Sequence, residues 1–313
     1  MRKKSSLILF IFLIGVFLFI AKHFAVHVDL WTGLSTSVLF APYWFFGFDL
    51  AKQLRGRDVT HPLWPLLLSA TYLIYAVPSH QFRWSIFAGL CGVLLVPALL
   101  LDHAHKLYPN APSWHDAVVL AIFGLAVEFR FFDRAWQVQG LSGLPKLLFL
   151  DAALYGYLVL RPFDNIGFDW RPRFVDVRIG LREFLLYTPL ALAIGFVLQF
   201  LHLHRTLSDP LAFVAGWVFT MFFIAMPEEL FFRGLMLNML ERPLGTRKAL
   251  VVTALIFGLA HFNKRAQYFN WRYVILAAIA GVFYGRAWLA NRRLMASSIT
   301  HATVDTVWSI WLR

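Results

Sequence analysis

The chain has 313 residues, of which 59% are hydrophobic and 15% are charged, and its mean hydropathy is +0.64. This composition excludes an ordinary soluble domain and predicts an all-α, polytopic helical membrane protein. The formal net charge is +12. Because the basic residues lie mostly between apolar runs, we interpret them as topology signals and lipid-headgroup contacts and expect no nucleic-acid partner.

Apolar runs of spanning length follow one another along the chain. Since a span needs about 20 apolar residues, we predict about nine to eleven transmembrane helices, with the shortest runs little tilted or partly re-entrant. The runs are 6–27, 31–50, 62–79, 84–101, 114–129, 146–162, 183–204, 210–240, 247–262, 272–289 and 294–312.

The longest polar break runs from Arg161 to Arg182. We therefore predict an N-terminal transmembrane region, residues 1–175, of unknown role, and a C-terminal domain, residues 176–313. Alternate loops place most lysines and arginines on the side of the N-terminus, which predicts a cytoplasmic N-terminus. A bacterial inner membrane is the favoured location, and the endoplasmic reticulum membrane is the alternative.

Three common kinds of peptidase site find little support in the sequence. The single cysteine, Cys91, lies in an apolar run, where a reactive thiolate is disfavoured. Ser142 sits in a GxSG segment like that of rhomboid-type serine proteases, but a polar turn ending at Pro145 explains the segment better. The sequence has no HExxH motif, so an ordinary zinc-protease helix is excluded.

The apolar stretch 222–233 carries two adjacent acids, Glu228 and Glu229, together with Arg233. A charge at bilayer depth costs about 2.5 kcal/mol or more, so such residues normally face a protein interior and act there. Glu229 and Arg233 are four residues apart, share a helix face and can neutralise each other. Glu228 is rotated by about 100° from Glu229. We expect Glu229 to be structural and Glu228 to be available for chemistry.

Two later helices carry the other buried polar residues. His261 lies near the end of its run, and His301 and Asp305 share a face of the last one. A helical rise of about 1.5 Å per residue places Glu228, His261 and Asp305 in one layer, with His301 one turn away. A carboxylate and an imidazole can take a proton from water, and a second histidine can donate to an oxyanion. The same side chains could instead hold a divalent metal.

These three motifs resemble those of the CPBP (Abi) family, the CAAX-processing and bacteriocin-related intramembrane endopeptidases. The resemblance covers roughly residues 180–313 and rests on Glu228-Glu229-xxx-Arg233, Phe257-xxx-His261 and His301-xxx-Asp305. It implies a CPBP-type helical core and a membrane-associated protein or peptide substrate. A metal-free, glutamate-dependent mechanism is favoured over one that uses a divalent metal such as zinc.

The resemblance also implies a role for each site residue. Glu228 and His261 would activate water, and Glu229 with Arg233 would brace the helix. His301 and Asp305 would bind the oxyanion or orient the site. The family carries asparagine or aspartate at the last position, and an ionised Asp305 only accepts hydrogen bonds. Asp305 must therefore be protonated, orient His301 or ligate a metal.

Two other functions stay open at this point. The chain could be a non-catalytic immunity or partner-binding protein of the same fold, although the intact Glu228, His261 and His301 set argues against decay of a catalytic site. A proton-coupled transporter would also use buried carboxylates. The absence of an internal repeat in the sequence disfavours that function.

Overall fold

The structure, a computed structural model, describes residues 3–23, 28–55, 61–109, 111–138, 143–204, 210–264 and 268–312. All regular structure in these ranges is helical, which confirms the all-α class. The chain forms two compact units, Met1–Asp164 and Asn165–Arg313. The predicted division of roles between residues 1–175 and 176–313 stays a prediction, and Ser142 lies outside the described residues.

Four described helices are long and apolar enough to cross a membrane, as expected for a polytopic membrane protein. They are Trp84–Leu107, Phe174–Val197, Phe213–Leu244 and Trp271–Asn291. The other apolar runs form helices that are shorter or less apolar. The count of nine to eleven spans therefore stays a prediction.

The first unit is built around α7, Leu144–Tyr155, in which every residue from 147 to 154 is buried. Apart from Lys146 and Asp151 this helix is apolar on all sides, as expected for a core helix, and a π-helical turn, Gly156–Leu160, continues it. The helices of the first unit are α1 Lys3–His23, α2 Leu30–Phe46, α3 Leu50–Leu54, α4 Ser69–Ala76, α5 Trp84–Leu107, α6 Trp114–Glu128 and α7 Leu144–Tyr155.

A buried ion pair holds the end of this core helix. The Arg161 guanidinium donates to both carboxylate oxygens of Asp116, at 2.6 and 3.0 Å. Its Nη1 donates to the carbonyl oxygen of Tyr108, at 2.9 Å, and its Nη2 donates also to that of Ala111, at 2.7 Å. Asp116 in turn accepts the backbone N–H of Ser113 at the start of α6. Every nitrogen of this buried guanidinium is thus satisfied within the first unit.

The second unit packs α8 (Phe174–Val197) and α14 (Leu294–Trp311) side by side, with α13 (Trp271–Asn291) antiparallel to both. Asn291 at the end of α13 donates to Asp176 at the start of α8, whereas Tyr187, further along α8, contacts Leu276. The helices of this unit are α8 Phe174–Val197, α9 Pro210–Thr220, α10 Met226–Glu229, α11 Asn238–Leu244, α12 Thr246–Leu259, α13 Trp271–Asn291 and α14 Leu294–Trp311.

Helix α8 corrects the predicted run 183–204 at both ends. It begins at Phe174 because the Asp176 carboxylate accepts the backbone N–H of Arg173, at 3.0 Å, and caps a turn that reads as polar in the sequence. It ends at Val197, and Gln199 has a φ of 53°. The chain then runs beside the end of α14, where the His204 N–H donates to the Trp311 carbonyl.

Small residues bring α12 and α13 close together. A Cβ on Gly258 would lie 2.6 Å from the Val274 carbonyl oxygen and 2.7 Å from the Ala278 Cβ. Interfaces of small residues of this kind let membrane helices pack backbone to backbone. This close contact fixes the end of α12, just before His261.

Candidate active site

Glu228 and Glu229 lie on a helix whose backbone is locally unwound. Two π-helical segments, Met221–Ala225 and Leu230–Leu237, flank the short helix α10. Pro227 has no N–H to donate, and the N–H of Met226 bonds five residues back to Met221. π-Helical turns are rare and are frequent at functional sites. Here they set the directions of the two carboxylates within an otherwise continuous span.

Glu229 is the centre of a buried hydrogen-bond network. Its side chain is fully buried, and its Oε1 accepts from Arg233 Nη1 at 2.9 Å and from His301 Nδ1 at 2.8 Å. The Ser297 hydroxyl donates to its other oxygen. The ion pair expected from the four-residue spacing is therefore present, and the same carboxylate also holds a histidine of α14.

Arg233 ties three helices together through the same network. Its Nη2 donates to the Gly281 carbonyl on α13 at 3.0 Å. The guanidinium carbon lies 4.5 Å from the centre of the Phe257 ring and 5.3 Å from that of Tyr284. Cation–π contacts of this kind strengthen when water is excluded. The arginine therefore positions the residues that surround His301 as well as neutralising Glu229.

His301 lies between three carboxylates. Its Nδ1 faces Glu229, while its Nε2 is 3.4 Å from Asp305 Oδ2 and 3.9 Å from Glu228 Oε2. An ionised carboxylate only accepts, so Nδ1 carries a hydrogen. The Tyr284 ring stacks on the imidazole, with centroids 4.5 Å apart and an interplanar angle of 16°. Stacking on Tyr284 thus fixes the plane of the imidazole, and the hydrogen bond to Glu229 fixes the direction of Nδ1.

His261 lies in the turn that follows α12, just beyond the helix on which the sequence placed it. Its Nδ1 is 2.8 Å from the Phe257 carbonyl oxygen. A carbonyl oxygen cannot donate, so Nδ1 is the donor, and in the neutral ring Nε2 is then a proton acceptor. Tyr273 packs edge-on against the ring at 4.7 Å. Glu228 and Asp305 both interact with His261 electrostatically.

An open cleft reaches these side chains. Most of its walls are apolar. His261, His301 and Asp305 line it, whereas Glu228 and Glu229 are not among its lining residues and reach it through His301. The apolar walls come mainly from α8, α13 and α14 and include Tyr187, Ala191, Leu276, Ala280, Val304 and Trp308.

The carboxylates and imidazoles of the site are side chains that can ligate a divalent metal. Among the residues that the structure describes, no group of three or more His, Cys, Asp or Glu side chains is arranged to hold a metal ion. The carboxylates around His301 contact the imidazole instead.

Two residues of the network, Ser297 and Tyr284, were not predicted from the sequence. Ser297 contacts both the Glu229 carboxylate and the Tyr284 carbonyl, the latter at 3.0 Å, and Tyr284 covers His301. Serine and tyrosine are ordinary within apolar helices, so neither carries a signal by itself. Only the packing of α13 and α14 against α10 brings them to the site.

The fold and the site define a helical membrane protein with a buried cluster of carboxylates and imidazoles at an apolar cleft. Residues 210–307 match the family model described as Rce1-like, the type II CAAX prenyl endopeptidases. The match confirms the resemblance to the CAAX-processing endopeptidases and supports a CAAX-type membrane protease. No curated protein and no solved structure matches the chain.

Proposed function

We propose that this protein is an intramembrane endopeptidase that hydrolyses a peptide bond with water activated by Glu228 and His261. One observation carries the proposal. His261, His301 and Asp305 line a single apolar cleft, and Glu228 lies 3.9 Å from His301. Side chains from three separate stretches of the sequence therefore meet where a peptide can bind. The family match over residues 210–307 supports the same reaction.

Water activation falls to His261 and Glu228. His261 presents Nε2 as an acceptor because its Nδ1 hydrogen is used on the Phe257 carbonyl. Glu228 supplies a nearby carboxylate whose side chain is 17% exposed and so can meet water. In this scheme the two groups take a proton from water, the hydroxide attacks the carbonyl carbon, and the proton passes to the departing amine as the C–N bond breaks.

Oxyanion stabilisation falls to His301. With Nδ1 held by Glu229, a protonated Nε2 can donate to the negative oxygen that develops on the substrate carbonyl. Asp305 Oδ2 lies 3.4 Å from the same nitrogen. We infer that Asp305 orients His301, since an ionised carboxylate cannot itself donate to an oxyanion.

The cleft indicates the kind of substrate. Ligand sites that are mostly apolar with a few convergent polar groups bury apolar ligands and use the polar groups for orientation. The substrate is therefore an apolar peptide segment of a membrane-associated protein. We expect it to contact α8 and α13 through side chains and the histidines through its backbone carbonyl.

The test compares purified wild type with Glu228→Ala in detergent. Each protein is incubated with membrane proteins from the same source, and new peptide termini are identified by mass spectrometry. Termini that require Glu228 would establish proteolysis and reveal the substrate. The same termini in both samples, with both proteins folded, would remove Glu228 from catalysis and favour a non-catalytic or transport function.

The metal question has a separate test on the same substrate. We expect cleavage to continue at an unchanged rate after treatment with 1,10-phenanthroline and dialysis. Loss of cleavage that zinc restores would contradict the metal-free mechanism. The integrity of the fold is followed by thermal unfolding, because a chelator effect on stability differs from an effect on chemistry.

A further inference from the structure

A group of arginines lies outside the site, where α8 and α13 pass from charged to apolar sequence. No charged residue follows Glu183 in α8, and none lies between Arg272 and Arg286 in α13. Glu183 and Arg286 are in contact, so the charged ends of the two helices lie at one level. Two membrane-spanning helices thus mark the same boundary of the apolar layer.

Glu183 holds two guanidinium groups at this level. The carboxylate is fully buried, and it accepts from Arg286 Nε at 2.8 Å and from Arg182 Nη2 at 2.7 Å. Both arginine side chains remain about half exposed, at 54% and 48% for Arg182 and Arg286. Within the described residues, Nη1 of each guanidinium makes no hydrogen bond. The buried acid therefore fixes two cationic groups whose outer donors face the surroundings.

The local charge is not balanced. Arg178 lies four residues before Arg182, on the same face of α8, and is exposed. It makes no salt bridge in the part of the chain that the structure describes. The other acid of α8, Asp176, is buried and bound to Arg293. Two of these three arginines share the Glu183 carboxylate, and the third adds a positive charge without an acid of its own on α8.

Apolar side chains lie directly beside these arginines. Leu181 is 44% exposed and Leu185 is 67% exposed, and each follows an arginine by three residues. An exposed leucine next to an exposed guanidinium suits the boundary between acyl chains and headgroups, where basic residues contact anionic lipids. A soluble partner would cover the charge but leave these leucines without an apolar environment.

We propose that Arg178, Arg182 and Arg286 form a binding site for the phosphate of an anionic phospholipid, with Glu183 as the residue that positions two of them. Guanidinium groups bind phosphate oxygens through paired N–H donors. The site borders the cleft, since Phe184 lines the cleft next to Glu183 and Phe283, which lies under Arg286, contacts Tyr187. The inference does not depend on the proposed hydrolysis.

Mass spectrometry of the intact protein tests this site. Wild type and the double variant Arg182→Gln/Arg286→Gln are released from mixed micelles of phosphatidylglycerol and phosphatidylcholine, and bound lipids are counted. We expect wild type to prefer the anionic lipid, and the preference to fall about fivefold for each arginine removed. Added salt should weaken the preference of the wild type.

The matched control removes the same charge from another exposed place. Arg247→Gln/Lys248→Gln changes the start of α12, where no buried acid among the described residues holds the basic side chains. Equal losses in the two double variants would overturn a specific site and indicate a diffuse field. Unchanged lipid preference in Arg182→Gln/Arg286→Gln, with weaker binding of a peptide ending in a free carboxylate, would assign the arginines to the substrate instead. Thermal unfolding checks that each variant is folded.

Discussion

The two units each bury an arginine against a carboxylate, and the two pairs differ in what the carboxylate does next. In the first unit Asp116 receives Arg161, and the carbonyls of Tyr108 and Ala111 take up the rest of the guanidinium. In the second unit Glu229 receives Arg233 and also binds His301. The other hydrogen-bond partners of the first pair are backbone groups, whereas the second pair also binds a side chain that lines the cleft.

This difference shows which feature of a buried ion pair indicates chemistry. Both arginines are almost completely buried, so burial alone does not separate the pairs. A buried pair in either place is costly to break because the remaining charge is left without a partner. The partners of the carboxylate separate them. Asp116 organises backbone at the start of α6, and Glu229 fixes the ring of a histidine.

The largest expected effect concerns Glu228, the acid next to Glu229 in the second unit. Glu228→Gln removes a proposed proton acceptor, and general acid–base groups contribute about 10² to 10⁴ in rate. We therefore expect kcat to fall about a thousandfold on the substrate identified from the membrane digest. The melting temperature should stay near that of wild type. Asp102→Asn, which removes an exposed carboxylate paired with Lys106, should leave kcat unchanged.

The comparison between the pairs is tested directly by Glu229→Gln and Asp116→Asn. Each variant leaves a buried arginine without its anion, so each should lose about 3 kcal/mol of unfolding free energy. The variants should differ in activity per folded molecule. Glu229→Gln should lose it because His301 is released, and Asp116→Asn should keep it. Equal loss of activity in both folded variants would contradict the distinction between the two ion pairs.

A smaller effect is expected where α12 meets α13. Gly258→Ala places a methyl group against the Val274 backbone, and forcing such a contact costs about 1–3 kcal/mol. Because His261 follows three residues later, activity should fall with stability. Gly92→Ala is the matched control, since nothing lies within 4 Å of its Cβ in α5. Denaturation of the two variants in the same detergent gives the difference in their free energies of unfolding.

The smallest effect is expected for Ser297→Ala. The change removes one donor to Glu229 and should lower activity about tenfold, equivalent to about 1.4 kcal/mol of activation free energy, and it should lower the free energy of unfolding by about 1 kcal/mol because a buried carboxylate oxygen loses its donor. Ser298→Ala removes a neighbouring buried hydroxyl whose contact is the Met226 sulfur. Activity assays on both variants should show a loss only for Ser297→Ala. A similar loss for both would point to the packing of α14 rather than to the Glu229 network.

The sequence predicted what depends on local spacing. The four-residue interval gave the Glu229–Arg233 pair and the shared face of His301 and Asp305, because both follow from the helical repeat. The apolar runs gave the helices of the second unit closely, apart from α8. The start of α8 was missed because charged residues interrupt its first turns, and these charges are stabilised by tertiary ion pairs such as Arg293 with Asp176.

Other features of the site depend on contacts that no single stretch contains. The contact of His301 Nδ1 with Glu229, rather than with Asp305, requires α14 to pack against α10. The stacking of Tyr284 and the contact of Ser297 arise in the same way. The π-helical segments on either side of Glu228 were also not predicted, since apolar periodicity does not distinguish an i+5 turn from an i+4 turn.

The central claim is that Glu228 and His261 activate the same water molecule, and a double-mutant cycle on kcat tests it most directly. The proteins are wild type, Glu228→Gln, His261→Gln and the double variant, each assayed on the identified substrate and each confirmed as folded. If the residues act as a unit, the double variant will be no slower than the slower single variant. Losses that multiply, as for independent groups, would contradict a shared water and the mechanism built on it.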